Sequence, residues 1–118
     1  MNGRLEILVD GQWGTVCDDR FDTDYNEENA MVICRELGLS GGRAFVDAEY
    51  GQGSDSQPIL LDDLRCNGDE SSISACEHRD VREHNCGHDE DVGIGKLILT
   101  LNCNLPSYYL HCTLFRQI

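Results

Sequence analysis

Asp18 and Asp19 directly follow Cys17, and Glu90 lies four residues beyond Cys86. Carboxylate oxygens are the ligands hard divalent cations take, so Asp18, Asp19 and Glu90 are candidates for binding chemistry if the two cysteines are bonded. The competing reading is a solvated surface, because 22 acids in 118 residues form clusters by chance. Cys76-Glu77-His78 and His84-Asn85-Cys86-Gly87-His88 carry the thiolates and imidazoles that suit zinc, but their spacing matches none of the common zinc pairs. A Cys-His nucleophile can be drawn from the same residues. Cross-linking explains the cysteines better, since a bonded sulfur neither ligates as thiolate nor attacks. His84 and His88 then help structure the loop beside Cys86.

Composition narrows the partners. Nine Lys+Arg stand against 22 Asp+Glu, a formal net charge of -13. Such a surface repels phosphate backbones and anionic lipid, which excludes nucleic-acid or membrane binding through a basic patch. It attracts metal ions or basic proteins instead. Seven cysteines indicate an oxidising compartment, and the odd number leaves one over or pairs it between chains. No apolar run approaches the roughly 18 residues that span a bilayer. The opening MNGRLEILVDG lacks the charged and apolar regions of a signal peptide. The expectation that reconciles cysteines with a missing export signal is a module cut from a longer secreted or membrane-anchored protein.

The elements that must hold these residues read as follows. Apolar positions from Leu5 to Val9 and from Trp13 to Val16 flank Asp10-Gly11, a strong hairpin signal. A helix over about 26–37 follows, capped by Asp22, Thr23 or Asp24, with Glu27 and Glu28 at its positive end. Ala30, Ile33, Cys34 and Leu37 form its buried face, and Gly38 ends it. Further strands are expected over Ala44–Tyr50, Ile59–Leu61, Val92–Ile94 and Lys96–Leu101. Ser71 or Ser72 caps a short helix near 72–76 carrying Ile73 and Cys76.

With Gly11-Gln12-Trp13-Gly14-Thr15-Val16-Cys17-Asp18-Asp19, the chain resembles the scavenger receptor cysteine-rich (SRCR) family. The blocks GRLEI (3–7), VICRELGL (32–39), YGQGS (50–54), PILLDDLRC (58–66), ESSISAC (70–76) and HNCGHDEDVGI (84–94) continue it in the family's order. The resemblance implies an α+β, disulfide-stabilised fold, a curved antiparallel sheet cradling one main helix plus a short one. It divides the chain into a domain over 1–95, lacking the family's first strand, and a divergent strand and tail over 96–118. The run Lys96 to Leu101 is the candidate to fill the vacated edge. The implied bonds are Cys17 with Cys86 and Cys66 with Cys76; Leu39 stands where the eight-cysteine class has another cysteine. Lys96 replaces the family's partner for Cys34. Cys103 is the next cysteine, about 23 Å further along an extended strand, so it serves only if the tail doubles back. The alternatives are Cys34 with Cys103, slightly favoured, or Cys103 with Cys112.

A bond between Cys17 and Cys86 would draw Asp18, Asp19 and Glu90 together, and the resemblance implies that these three bind Ca²⁺ or Mg²⁺. It places a second cation site at Asp62, Asp63 and Asn85. Arg4, Glu6 and Trp13 match a stretch proposed to contact bacterial surfaces in some members; the rival reading makes them outward strand positions and a core anchor. The implied function is extracellular, non-catalytic recognition of polyanions such as microbial polysaccharide or modified lipoprotein, or of a host glycoprotein, through the metal-occupied site. Other domains of a parent protein are implied too. The alternative is a metal-independent protein-adhesion module.

Overall fold

The computed structural model describes residues 2–39, 41–95 and 110–111. Strands β2 (Glu6–Val9) and β3 (Gln12–Val16) form the expected hairpin, with Val9 opposite Gln12. Asp10 and Gly11 have φ of 50° and 79°, the positive pair that a tight two-residue turn requires.

The α+β class is as expected, with one main helix and the strands divided between two sheets. β1 (Asn2–Arg4), β6 (Gly93–Gly95) and β4 (Arg43–Phe45) form an antiparallel sheet ordered β1-β6-β4. The second is ordered β5-β3-β2-β7, with β5 (Ile59–Leu61) and β7 (Leu110–His111) at its ends. β5 runs parallel to β3, because the chain between them is long enough to cross over and return in the same direction. Main-chain bonds from Leu5 N to Val92 O (2.9 Å) and Val92 N to Val16 O (2.9 Å) stitch the sheets together. β7 lies antiparallel to β2, with Leu110 opposite Ile7 and His111 opposite Glu6. The expected strand Lys96–Leu101 and the cysteines Cys103 and Cys112 lie outside the described residues. Cys34 is buried on the helix.

Helix α1 (Asn26–Glu36) buries Ala30, Ile33 and Cys34, with Leu37 just beyond its end, against the sheet residues Leu5, Ile7, Val16, Leu60 and Ile94. None of Asp22, Thr23 or Asp24 caps it: Tyr25 holds the cap position without a side-chain bond. The helix grows instead from a turn in which Phe21 N and Asp22 N both donate to Asp18 O, followed by Tyr25 N to Arg20 O. Its other end is as the sequence indicates. Gly38 (φ 78°) donates to Arg35 O and Leu39 N to Cys34 O, the paired bonds of a Schellman ending.

The strand expected over Ala44–Tyr50 stops at Phe45. Asp18 Oδ2 takes the Asp47 N–H at 2.7 Å, and Asp47 and Ala48 adopt φ of 56° and 50°, which turns the chain out of the sheet. The short helix near 72–76 is one 3-10 turn, Ile73–Ala75, with Ser72 Oγ accepting from Ser74 N. Cys17 is bonded to Cys86 (Cα–Cα 6.2 Å) and Cys66 to Cys76 (Cα–Cα 4.7 Å).

A second one-turn helix, His88–Glu90, carries one of the candidate ligands and is pinned by a charged hydrogen-bond network. Asp91 Oδ2 accepts from Gly53 N (2.7 Å) and pairs with His88 Nδ1 (2.9 Å), while His88 Nε2 reaches Gln57 O at 2.9 Å. Burial of the ring opposes its charge, but Asp91 and the Gln57 carbonyl outweigh that and raise the His88 pKa above its ordinary 6.5. The stability from this pair is therefore fully present below the unfolded value and is lost as pH rises through the higher folded one. We expect His88→Ala to lower the unfolding temperature more near pH 5.5 than near pH 9. Equal losses in thermal scans at both pH values would show the imidazole acting only through packing.

Candidate metal centre

The Cys17–Cys86 bond brings together segments 69 residues apart. Around it Asp18 N donates to Glu90 O (2.9 Å) and Cys17 N to Leu61 O (2.9 Å), so the chain after Cys17 lies against both Glu90 and Asp62. Among the described residues, Asp19 is common to three sets of groups whose ligand atoms lie within 4.8 Å of one another. One holds Asp18, Asp19 and Asp22, a second Asp19, Asp62 and Asp63, and a third Asp19 and Glu90 with the two bonded sulfurs. Asp18 and Glu90 therefore fall in different sets, each joined to Asp19.

Local structure explains the orientations. Asp18 is buried, its Oδ2 holds the turn at Asp47, and burial raises its pKa despite that bond. Glu90 Oε2 accepts from Gly87 N at 2.9 Å, closing its own turn. Asp62 is fully buried, with Oδ1 accepting from Asp63 N (2.7 Å). Asn85, with its amide nitrogen turned inward, donates to Asp62 Oδ2 and Asp19 Oδ2, each at 3.1 Å. The same side chain can rotate to present its carbonyl oxygen to a cation. Asp63 has two cationic partners, Arg79 Nε at 2.7 Å and Arg20 Nε at 3.5 Å, and Arg79 Nε also approaches Asp62 Oδ2 at 3.8 Å. The Arg79 hydrogen bond, with the nearby arginine charges, holds its carboxyl below the usual carboxylate range.

Asp19 meets the opposite environment. Partial burial, the Asp62 and Glu90 charges, a hydrogen bond shared with Asp62 and the Asp63 charge push its pKa up to about 6. A carboxylate so placed gains most from a neighbouring cation. The donors are all carboxylate or amide oxygens, with no thiolate or imidazole among them, which fits Ca²⁺ or Mg²⁺. Asp22, expected as a helix cap, instead joins Asp18 and Asp19 because the turn at Phe21 brings it back over Asp18; its i, i+4 spacing from Asp18 is the sequence signal for this. Zinc and thiolate chemistry at Cys76 or Cys86 is removed by their disulfides.

Arg4 and Glu6 lie elsewhere and are turned on one another. Arg4 Nε and Nη2 donate to Glu6 Oε2 at 3.2 and 2.8 Å, Gln57 Nε2 adds a third bond to that oxygen, and Arg4 Nη1 reaches Gln52 O. Glu6 is buried, so it is not an outward strand position. The pair braces the 50–58 loop against β1 and β2. Trp13 is half-buried on β3, opposite Leu8.

The model of the scavenger receptor cysteine-rich domain matches residues 1–95. A scavenger receptor cysteine-rich domain superfamily protein of Patiria pectinifera is 42% identical over 93 residues, which are 78% of this chain and 8% of that protein. The chain thus spans a small part of that relative's length. The SRCR domain of mouse MARCO, solved in its dimeric form, is 40% identical with a TM-score of 0.68, covering 80% of this chain and 84% of that one. The third SRCR domain of murine neurotrypsin is 40% identical with a TM-score of 0.69, covering 84% and 88%.

Proposed function

Because this chain belongs to the scavenger receptor cysteine-rich family, we propose that it is an extracellular recognition module that binds polyanionic ligands through a divalent cation held at Asp19. The domain itself is non-enzymatic. The observation that carries the metal reading is the meeting of three acidic sets at one carboxylate beside the Cys17–Cys86 bond. Asp19 with Asp62, Asp63 and Asn85 would hold one ion, and Asp18, Asp22 and Glu90 border it. A bound cation gives so acidic a surface a positive centre to offer sulfate, phosphate or carboxylate groups. Ligands of this kind, microbial polysaccharide or modified lipoprotein, are the proposed partners, and a longer parent protein the proposed setting. Among the described residues no helix is long and apolar enough to cross a membrane.

Calorimetric titration of the oxidised chain with CaCl₂ tests this reading, with Asp19→Asn as the control. Because the folded-state pKa of Asp19 is raised to about 6, its favourable contribution is present at low pH and lost as pH rises through that value. A cation restores what is lost, so the Ca²⁺-induced rise in unfolding temperature should grow from pH 5 to pH 7 in the wild type and vanish in Asp19→Asn. No heat of Ca²⁺ binding, with polyanion capture unchanged in chelator, would sink the proposal. That outcome favours a metal-independent adhesion module, which has one observation on its side: Arg79, Arg20 and Asn85 already satisfy Asp62 and Asp63 without metal.

A further inference from the structure

The geometry points to Arg79 as the resident counter-ion of the Asp62–Asp63 pair, which a divalent cation displaces to make an anion contact for the ligand. This rests on the metal reading above and concerns how the same site is regulated. Arg79 Nε lies 2.7 Å from Asp63 Oδ2 and 3.8 Å from Asp62 Oδ2, where a cation serving both carboxylates would compete with it. Arg20 Nε approaches the other Asp63 oxygen at 3.5 Å. In a chain of net charge -13, two guanidinium groups converge on one carboxylate at the edge of the proposed site.

The arrangement is anchored at the backbone and loose at the tip. Arg79 N donates to Asp62 O (3.1 Å), and two main-chain bonds between Arg65 and Glu77 hold the preceding residues against the same loop. The Arg79 and Arg20 side chains are 46% and 44% exposed, whereas that of Asp62 is fully buried. Burying a carboxylate demands a cation or hydrogen bonds, and without metal Arg79 contributes the charge. A divalent ion between Asp19, Asp62 and Asp63 takes those oxygens and repels the guanidinium. Its long side chain then turns to solvent beside the bound ion, next to Arg20. Metal and arginine together can grip one sulfate, phosphate or carboxylate group, and the planar fork of Arg suits bidentate contact. Cation and polyanion therefore favour one another's binding, and by linkage the coupling is reciprocal.

The test uses the oxidised full chain, CaCl₂ calorimetry, and capture on sulfated dextran with neutral dextran as control, at fixed ionic strength. For the wild type, Ca²⁺ should tighten capture on sulfated dextran alone. Arg79→Gln should bind Ca²⁺ more tightly, by about fivefold or more, because the competitor is gone. The same variant should lose most of the Ca²⁺-dependent gain in capture. Arg79→Lys, which keeps the charge but not the fork, should leave Ca²⁺ affinity near that of the wild type and recover capture only in part. A merely structural role would weaken both kinds of binding together. Ca²⁺ affinity unchanged or weakened in Arg79→Gln overturns the role of Arg79 alone. Absence of Ca²⁺ binding from both wild type and Arg79→Gln overturns the metal reading, and this inference with it.

Discussion

Replacing Cys17 and Cys86 together by serine is expected to cost about 4 kcal/mol of stability, against about 2.5 kcal/mol for the Cys66/Cys76 double replacement, and only the first should abolish Ca²⁺ binding. The difference follows from loop length, since the longer bond closes 69 residues and the shorter 10, and restriction of the unfolded chain grows with the logarithm of the loop. For a domain whose total stability is on the order of 5–15 kcal/mol, either loss is a large fraction. The effect on metal has a separate cause. Residues Val81 to Asn85 are all exposed, so packing does little to place Asn85 over Asp19 and Asp62. The bond at the adjacent Cys86 does. Cys66–Cys76 instead ties down the loop before Arg79, and its removal leaves Asp19, Asp62 and Glu90 in place. Denaturant unfolding in chelator at neutral pH measures the two losses, and calorimetry the binding. Equal losses from the two bonds, or retained Ca²⁺ binding in the Cys17/Cys86 variant, would break this account.

What the sequence made legible was local, or carried by motif. Asp10-Gly11 specified its turn because only a few residue pairs tolerate positive φ twice in succession. Ala30, Ile33, Cys34 and Leu37 announced the buried helix face by spacing, and Gly38 its end. The bonds Cys17–Cys86 and Cys66–Cys76 were implied by resemblance, and the structure has both. What stayed hidden depends on contacts between distant segments. Ala44–Tyr50 reads as a strand, yet the buried Asp18 carboxylate, 29 residues away in sequence, captures Asp47 N and turns the chain. Glu6 has the pattern of an exposed position, but three side-chain bonds from Arg4 and Gln57 make its burial tolerable. Arg20 and Arg79 carry no motif at all, and only their convergence on Asp63 gives them meaning.

Asn29 is the sharpest case of such a hidden contact, and its replacement should be among the most damaging single changes in the chain. In a helix, one Asn between Glu28 and Ala30 reads as surface; here it is completely buried. Its Nδ2 donates to Leu64 O at 2.8 Å and its Oδ1 accepts from Cys66 N at 2.8 Å, so the side chain replaces a strand partner for the segment leading from Asp62 to Cys66. Asn29→Leu preserves volume but strands a buried carbonyl and a buried N–H, each costing about 1–3 kcal/mol. We expect a loss of roughly 2–5 kcal/mol on that ground. Asn29→Asp should be no better at neutral pH, because it still accepts from Cys66 N but sets a buried charge against Leu64 O. The two variants separate in acid. Protonated aspartic acid regains both a donor and an acceptor, so folding raises the pKa of the new carboxyl, and its contribution is present at low pH and lost as pH rises. The gap between Asn29→Asp and wild type should therefore narrow markedly from pH 7 to pH 4.5, while the Asn29→Leu gap stays level. Parallel denaturation curves at the two pH values decide it: a deficit in Asn29→Asp that is independent of pH would mean that the amide's hydrogen bonds are not what holds the Asp62–Cys66 segment to the helix.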